Sequence, residues 1–232
     1  MRSEVKRVPD LTPSETEAMR ALLEAHFTGV TREGFAKDLS EKEWALLVRD
    51  AAGEVRGFST ARLLTVEGCG PDGESVDALF SGDTIVATGA RNRPDLALLF
   101  GELAFRIVPR TAGRPLYWFL ICSGWRTYRF LPLLFRDYVP SRGGAGPLLP
   151  LRDAVARARF GERFDAATGI VTLAAPTPLR DPEVGPRELA DPDVAFFVAA
   201  NPGHGRGDEL ACLTRLEPDN LTPAGRRLAR LR

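Results

Sequence analysis

The chain has 232 residues, of which 44% are apolar and 27% charged, as in an ordinary globular domain. Lys+Arg and Asp+Glu both number 31, so the net charge argues against nucleic acid or an anionic membrane as partner. No stretch reaches the roughly 18 apolar residues of a membrane span, and residues 1–10 lack the apolar segment of a signal peptide. Three cysteines at unrelated spacings favour neither a disulfide framework nor a zinc site. We therefore expect a cytoplasmic protein without a metal.

Arginine supplies almost all of the basic residues, because lysine occurs only at Lys6, Lys37 and Lys42. A GC-rich genome favours such a bias, and arginine is also the side chain that forks best onto phosphate groups. Composition alone leaves both explanations open.

The first part of the chain predicts a short strand followed by two helices. The strand covers 4–8. Thr12, Pro13 and Glu15 mark the start of the first helix, as N-cap, first-turn proline and closing residue of a capping box. Apolar residues then recur at helical spacing, so this helix lays one face on a core. The second helix lies within 31–42.

From Trp44 onward the pattern is that of strands. Residues 44–50 and 55–67 predict a hairpin with a tight turn between them. Gly57 in its second strand indicates a bulge or a close approach of another backbone. The apolar segment 76–90 carries a further long strand, which we expect at the centre of the sheet.

The middle of the chain alternates helix and strand. Pro94 and Asp95 begin a helix with an apolar stripe, and 116–123 is a continuous apolar run that predicts a fully buried strand. The aromatic segment after it predicts a helix that Pro132 must interrupt or restart, since proline removes a helical hydrogen bond.

The last third begins with a break at 141–150 and a short amphipathic helix at 151–160. A proline-rich stretch follows as far as about residue 190. Two apolar runs at 193–200 and 208–216 predict strands, and 222–232 predicts a basic helical tail.

The order of these elements, β-α-α-β-β-β-α-β-α-β-β, resembles that of the GNAT superfamily of acyltransferases. The hairpin sequence ALLVRDAAGEVRGFSTARL looks like the family's second and third strands. The segments DTIVATGARNRPDLALLFGELAFRI and LYWFLICSGWRTYRFLPLLFRDYVP are similar to its fourth and fifth strands with the helices that follow. The resemblance implies a single domain with an α/β fold built on a mixed sheet, whose core comprises 4–140 and 191–217 and whose residues 141–190 are an inserted helical segment.

The resemblance also implies a specific strand arrangement. The strands at 82–88 and 116–122 should lie side by side and run parallel, because a strand–helix–strand unit with a right-handed crossover joins them. They should splay apart at one end, where the family holds its acyl donor.

The family's clearest cofactor motif is absent. GNAT enzymes bind the pyrophosphate of acyl-CoA on a glycine-rich loop between the fourth strand and its helix, where backbone N–H groups and the helix dipole face the phosphates. Here the loop reads GARNRPD from Gly89: the interior glycines are missing, a proline removes one donor, and an aspartate adds negative charge. We expect Thr88, Gly89, Arg91 and Arg93 to contact the cofactor, with the two arginine side chains replacing backbone donors.

Ser123 is the remaining predicted cofactor contact. It ends the buried strand and precedes a helix, which is where open α/β sheets place ligands. The pair Ser123–Gly124 is equally explained as the N-cap of that helix.

Three residues are candidates for catalysis. In the family, a carboxylate on the fourth strand often acts as general base, which implies Asp83; between apolar neighbours its pKa would be raised. The alternative is a solvated bulge or strand start at Gly82–Asp83. A tyrosine on the last helix often protonates the thiolate, which implies Tyr128, unless that side chain is only packed. His204, in a polar glycine-rich loop, is the reserve for either role, unless the loop is an ordinary turn.

The resemblance implies transfer of an acyl group from a thioester to an amine of a small molecule. The thioester is acyl-CoA, or an acyl-phosphopantetheine on an acyl carrier protein, and acts as co-substrate. The alternative is a catalytically degenerate GNAT-fold module that binds a small ligand or a protein partner. A homodimer is compatible with either.

Overall fold

The computed structural model describes residues 2–70, 73–90, 95–107, 113–144 and 146–230. Nine strands in these residues join one mixed sheet: β1 (Arg2–Arg7), β2 (Trp44–Arg49), β3 (Val55–Val66), β4 (Val76–Val86), β5 (Leu116–Cys122), β6 (Tyr138–Val139), β7 (Phe164–Asp165), β8 (Ile170–Thr172) and β9 (Asp208–Arg215). Their order across the sheet is β1-β2-β3-β4-β5-β9-β8-β7, and β6 also pairs with β9.

The helices of the described residues pack on the two faces of this sheet. They are α1 (Pro13–His26), α2 (Arg32–Ser40), α3 (Asp95–Ile107), α4 (Trp125–Tyr128), α5 (Phe130–Leu134), α6 (Leu149–Phe160), α7 (Pro186–Leu189), α8 (Pro192–Ala200) and α9 (Pro223–Arg230). None of the helices within the described ranges has both the length and the apolar character that crossing a membrane requires.

The mixed α/β sheet predicted from the GNAT resemblance is confirmed. Strands β1 to β4 are antiparallel neighbours, and β4 and β5 form a parallel pair joined through α3. The predicted helix start is also observed: Thr12 Oγ1 accepts a hydrogen bond from Glu15 N at 3.2 Å, and Thr12 N donates to Glu15 Oε2 at 2.7 Å. The aromatic helix is broken before Pro132, into α4 and α5.

The prediction of a strand at 193–200 is wrong, because this segment is α8. Asp191 caps the helix by accepting a hydrogen bond from Asp193 N, and Pro192 occupies its first turn. The run Ala-Phe-Phe-Val-Ala-Ala is apolar on every side, so hydrophobic periodicity cannot distinguish a buried strand from a buried helix here. The place beside β5 is taken by β9.

Residues 141–190 contribute more than the helix predicted there. They contain α6, and they also supply β7 and β8, which extend the sheet beyond β9. The segment therefore forms part of the central sheet and one layer of its cover.

Alternate residues of the central strands divide the core between the two faces of the sheet. Trp118, Leu120 and Cys122 lie on the face covered by α3, α4, α5 and α8. Tyr117 and Phe119 lie on the opposite face, which α6 covers and which α1 and α2 cover further along the sheet.

Candidate active site

The strands β4 and β5 separate in the middle of the sheet. They pair over residues 77–81 and 116–120, and a buried hydrogen bond of 2.9 Å from Trp118 Nε1 to Ser81 Oγ joins them near the last pair. Beyond it β4 continues beside β3 and β5 continues beside β9. The expected splay is thus present, but the paired stretch of β4 precedes 82–88, because that segment already lies past the point of divergence.

A bulge sits at this point of β4. The register between β3 and β4 shifts so that Thr60 stands opposite both Gly82 and Asp83. A bulge re-aims the side chains around it. A Cβ atom at Gly82 would lie 2.7 Å from Lys42 Cε and 2.7 Å from Thr60 Oγ1, so the absent side chain leaves the room that Lys42 occupies.

Lys42 brings a buried positive charge to the bulge. Its side chain is 2% exposed, and Nζ lies 2.6 Å from Asp38 Oδ2 and 5.8 Å from the centre of the Phe80 ring. Arg159 of α6 lies over the same ring at 5.5 Å and binds Glu41 Oε2 through Nη2 at 2.5 Å. Two ion pairs therefore converge on Phe80, on the sheet face that α2 and α6 cover.

Two further carboxyl groups share this environment without an ion-pair partner of their own. Burial, followed by the charge of Asp38, raises the pKa of Asp83 to about 7, against the opposing effect of Lys42. Burial, followed by Asp83 and Asp38, raises the pKa of Glu209 to about 8. Near neutral pH about half of Asp83 is ionised, and such a group can both accept and return a proton. Gly82–Asp83 is thus a bulge, as one expectation had it, but the Asp83 carboxyl is shielded from solvent.

Several buried polar atoms at this place have no protein partner. Among the described residues, four buried side-chain nitrogen or oxygen atoms lack a hydrogen bond: Thr60 Oγ1, Arg159 Nε, Asn201 Oδ1 and Glu209 Oε2. Three of the four lie around Lys42. Native proteins pair nearly all such atoms, so an unpaired group indicates a functional site or a bound molecule. We name the acidic cluster as Asp38, Lys42, Thr60, Asp83, Arg159 and Glu209.

The acidic cluster differs from a metal centre. In the described parts of the chain, no group of three or more His, Cys, Asp or Glu side chains is placed to hold a metal ion. The cluster instead combines a tunable carboxyl with fixed charges of both signs, which suits binding and deprotonation of an amine.

The predicted cofactor contacts lie at one edge of the sheet. Thr88 and Gly89 follow β4 in a short 3-10 turn and are exposed, and Ser123 follows β5 and is partly buried. Because β4 and β5 are parallel, their carboxyl ends meet at the same edge. Arg91 and Arg93 lie outside the described residues. Cofactor binding by these five residues stays a prediction.

The alternative explanation of Ser123 as a helix cap is not observed. The N-cap position of α4 is Gly124, and no side chain caps this helix. Ser123 therefore lies free of a capping role at the end of β5.

Tyr128 lies away from Asp83. Its side chain is fully buried among Tyr138, Phe196 and Phe197, on the opposite face of the sheet from the acidic cluster. The hydroxyl donates to the carbonyl oxygen of Pro140 at 3.0 Å. Burial, and then the neighbouring Tyr138, raises the pKa of Tyr128 far above its ordinary value. The structure does not bring this hydroxyl to the predicted base, and its packing favours a structural role.

Replacing Tyr128 by Phe tests that role. We expect Tyr128→Phe to lower the melting temperature by about 2–4 °C, because it removes one buried hydrogen bond worth about 1 kcal/mol. Turnover per folded molecule should stay unchanged. The measurements are thermal unfolding and kcat; a tenfold fall in kcat at an unchanged melting temperature would restore Tyr128 as the acid.

His204 is also held by the fold. Its Nδ1 lies 3.0 Å from the carbonyl oxygen of Asn201, and its Nε2 lies 3.2 Å from that of Pro182. The ring packs edge-on against Phe197, on the same face as Tyr128. Its loop connects α8 to β9 rather than two strands. Both ring nitrogens thus contact backbone carbonyls, and the structure does not place His204 with Asp83.

Sequence reasoning missed Lys42 and Glu209. Lys42 carried one signal, since it is one of only three lysines among 31 basic residues. Glu209 carried none, because it starts an apolar strand that the chain reaches more than a hundred residues after Asp83. Only the pairing of β9 with β5 brings it to the splay.

Comparison with known proteins gives similarity at the level of the fold. No protein-family model matches the chain, and no curated protein sequence does. Among solved structures, a conserved protein of unknown function from Enterococcus faecalis is 15% identical over 56% of this chain and 32% of its own, with a TM-score of 0.41. The GNAT-family N-acetyltransferase YhbS from Escherichia coli, in complex with CoA, is 18% identical over 56% of this chain and 68% of its own, with a TM-score of 0.36.

A third solved structure matches more of this chain. N-acetylglutamate synthase from Neisseria gonorrhoeae, complexed with coenzyme A and N-acetyl-glutamate, is 11% identical over 94% of this chain, with a TM-score of 0.41. This chain spans only 36% of that protein. At these identities the site has to be judged by its own side chains. The order of elements, with the splayed parallel pair β4–β5 at the centre, gives this chain a GNAT-like fold.

Proposed function

We propose that this protein transfers an acyl group from a thioester to an amine of a small molecule, with Asp83 as general base. One observation carries the proposal: Asp83 lies directly past the point where β4 and β5 separate, with a pKa raised to about 7. A base poised near the working pH combines a populated ionised form with enough basicity to accept a proton.

In the proposed reaction the amine enters the acidic cluster as its ammonium form. The Asp83 carboxylate takes one proton, and the neutral nitrogen attacks the thioester carbonyl carbon. The tetrahedral intermediate collapses as the carbon–sulfur bond breaks. The thiolate takes the second proton from the former amine nitrogen, which leaves an amide and a thiol. This route needs no proton from Tyr128.

The other charges of the cluster prepare Asp83 for this step. Lys42 lowers the pKa of Asp83, while burial and Asp38 raise it further. The Lys42–Asp38 ion pair thereby keeps the base ionisable in a site that excludes water. Gly82 is required because a side chain there would displace Lys42 or Thr60.

The donor is a CoA or acyl-carrier thioester. A phosphopantetheine arm on a carrier protein has a single phosphate, so it depends less on a pyrophosphate loop. Thr88, Gly89, Arg91, Arg93 and Ser123 are the proposed contacts of the donor, at the edge where β4 and β5 end. We place the reaction in the cytoplasm, where such thioesters are made.

The loop sequence predicts weak binding of acetyl-CoA. We expect a dissociation constant above about 100 μM, equivalent to roughly −5.5 kcal/mol, because the glycine-rich loop is missing. Isothermal titration calorimetry measures it. Micromolar binding would contradict this expectation; Arg91→Ala and Arg93→Ala should then each weaken binding, and Arg187→Ala on the exposed side of α7 should not.

The proposed function is tested by product formation. The purified protein is incubated with acyl-CoA and acyl carrier protein thioesters of different chain lengths and with a panel of amines, and amides are detected by mass spectrometry. An amide that depends on the protein and on Asp83 supports the proposal. Ligand binding without any amide across the panel would favour the non-catalytic module instead.

A further inference from the structure

The charges of the acidic cluster do not balance within the described residues. Lys42 pairs with Asp38, and Arg159 pairs with Glu41. Asp83 and Glu209 remain as two carboxyls beyond these two ion pairs, and each raises the pKa of its surroundings rather than relieving it. The surplus at full ionisation is therefore two negative charges.

Elsewhere the same chain pairs its buried carboxylates completely. Glu15 binds Lys6 Nζ at 2.8 Å, and it also binds Arg49 and the backbone of Thr12. Although burial alone would raise it, these hydrogen bonds lower the pKa of Glu15 to about 2. Glu209 Oε2 is buried without any hydrogen-bond partner in the described residues, so its environment is not that of a structural carboxylate.

A second observation points to a ligand at this place. Thr60 is fully buried, and its Oγ1 has no partner although it lies against Gly82 beside Lys42. Arg159 Nε is likewise buried and unpaired over the Phe80 ring. An unpaired hydroxyl, an unpaired donor and an unpaired carboxylate oxygen around one ring form a polar recess, whereas burial of each alone costs free energy.

We infer that the amine acceptor is a dication, whose second, non-reacting cationic group binds Glu209 while its reacting ammonium lies at Asp83. The inference rests on the proposed acyl transfer for the role of Asp83. Two positive charges match the two surplus carboxyls, and the reacting nitrogen becomes neutral only when Asp83 takes its proton. The fixed cation then holds Glu209 ionised. Thr60 Oγ1 and Arg159 Nε bind neutral polar groups of the acceptor.

The test compares binding of diamines and monoamines to the full chain. Isothermal titration calorimetry at pH 7 uses 1,4-diaminobutane and 1,6-diaminohexane as probes, with 1-aminobutane and 1-aminohexane as their singly charged counterparts. We expect at least one diamine to bind about tenfold more tightly than its counterpart, a difference that one favourable charge contact in a buried site supplies. Repeating the titration in buffers of different ionisation enthalpy should show proton release, because the bound cation ionises Glu209.

Glu209→Gln is the decisive variant, since it keeps the shape and removes the charge. It should abolish the preference for the diamine and reduce the proton release, while Glu54→Gln, the same change at an exposed turn, should leave both unchanged. Equal binding of diamine and monoamine to the wild type, or an unchanged preference in Glu209→Gln, would overturn the inference. Because binding needs no acyl donor, this result is separate from a failure to find acyl transfer.

Discussion

Asp83→Asn should lower kcat for acyl transfer by about 10²- to 10⁴-fold, the usual contribution of a general base. Asparagine has nearly the same shape and keeps the bulge, but it cannot accept a proton from the ammonium group. The variant also removes a carboxyl whose ionisation is opposed by burial and by Asp38, so the folded state should lose no stability. We therefore expect a melting temperature equal to that of the wild type or higher.

Asp77→Asn is the matched control on the same strand. Asp77 is fully buried and accepts hydrogen bonds from Arg114 Nε at 2.9 Å and from Thr65 Oγ1 at 2.7 Å. This substitution should lower the melting temperature and leave turnover per folded molecule unchanged. If both variants lose activity in proportion to stability, Asp83 has no chemical role.

The acidic cluster should make the protein less stable as the pH rises. Asp83 and Glu209 have ordinary pKa values of 3.8 and 4.5, which the folded state raises to about 7 and about 8. Between these limits the native state binds more protons than the unfolded state, so the free energy of unfolding falls as pH increases. The loss between pH ~5 and pH ~9 should be on the order of a few kcal/mol, because both side chains retain some solvent contact.

The measurement is urea unfolding across this pH range for the wild type and for the double variant Asp83→Asn/Glu209→Gln. The double variant should show a flatter dependence, since neither substituted side chain titrates. Glu15 does not interfere: its lowered pKa of about 2 gives stability that is complete above its ordinary 4.5 and is lost only in strong acid. Parallel curves for the two proteins would show that the two carboxyls titrate normally in the folded state.

The sequence predicts the central elements of this fold well, because local signals and hydrophobic pattern agree there. Thr12 and Glu15 define a helix start by a local hydrogen-bond pattern, and the apolar runs of β4 and β5 are bounded by polar turns. The segment 193–200 fails since its residues are apolar on all sides. In such a run, the capping signal at Asp191–Pro192 is better evidence of helix than the hydrophobicity is of strand.

The candidate site was only partly predictable. Asp83 was found because it interrupts an apolar strand at a place that the GNAT resemblance makes important. Glu209 and Lys42 reach it through long-range pairing, which no local pattern encodes. Tyr128 was chosen by its position along a helix, but the face on which that helix lies depends on packing against α8, and α8 had been predicted as a strand.

The pH dependence of kcat/KM tests the central claim most directly. With an acyl donor and amine that give turnover, the wild type should show a rising limb with an apparent pKa near 7, the value at which Asp83 ionises. Asp83→Asn should lose this limb and keep only the one that belongs to the amine at higher pH. The same limb near pH 7 in both proteins would contradict the assignment of Asp83 as the base.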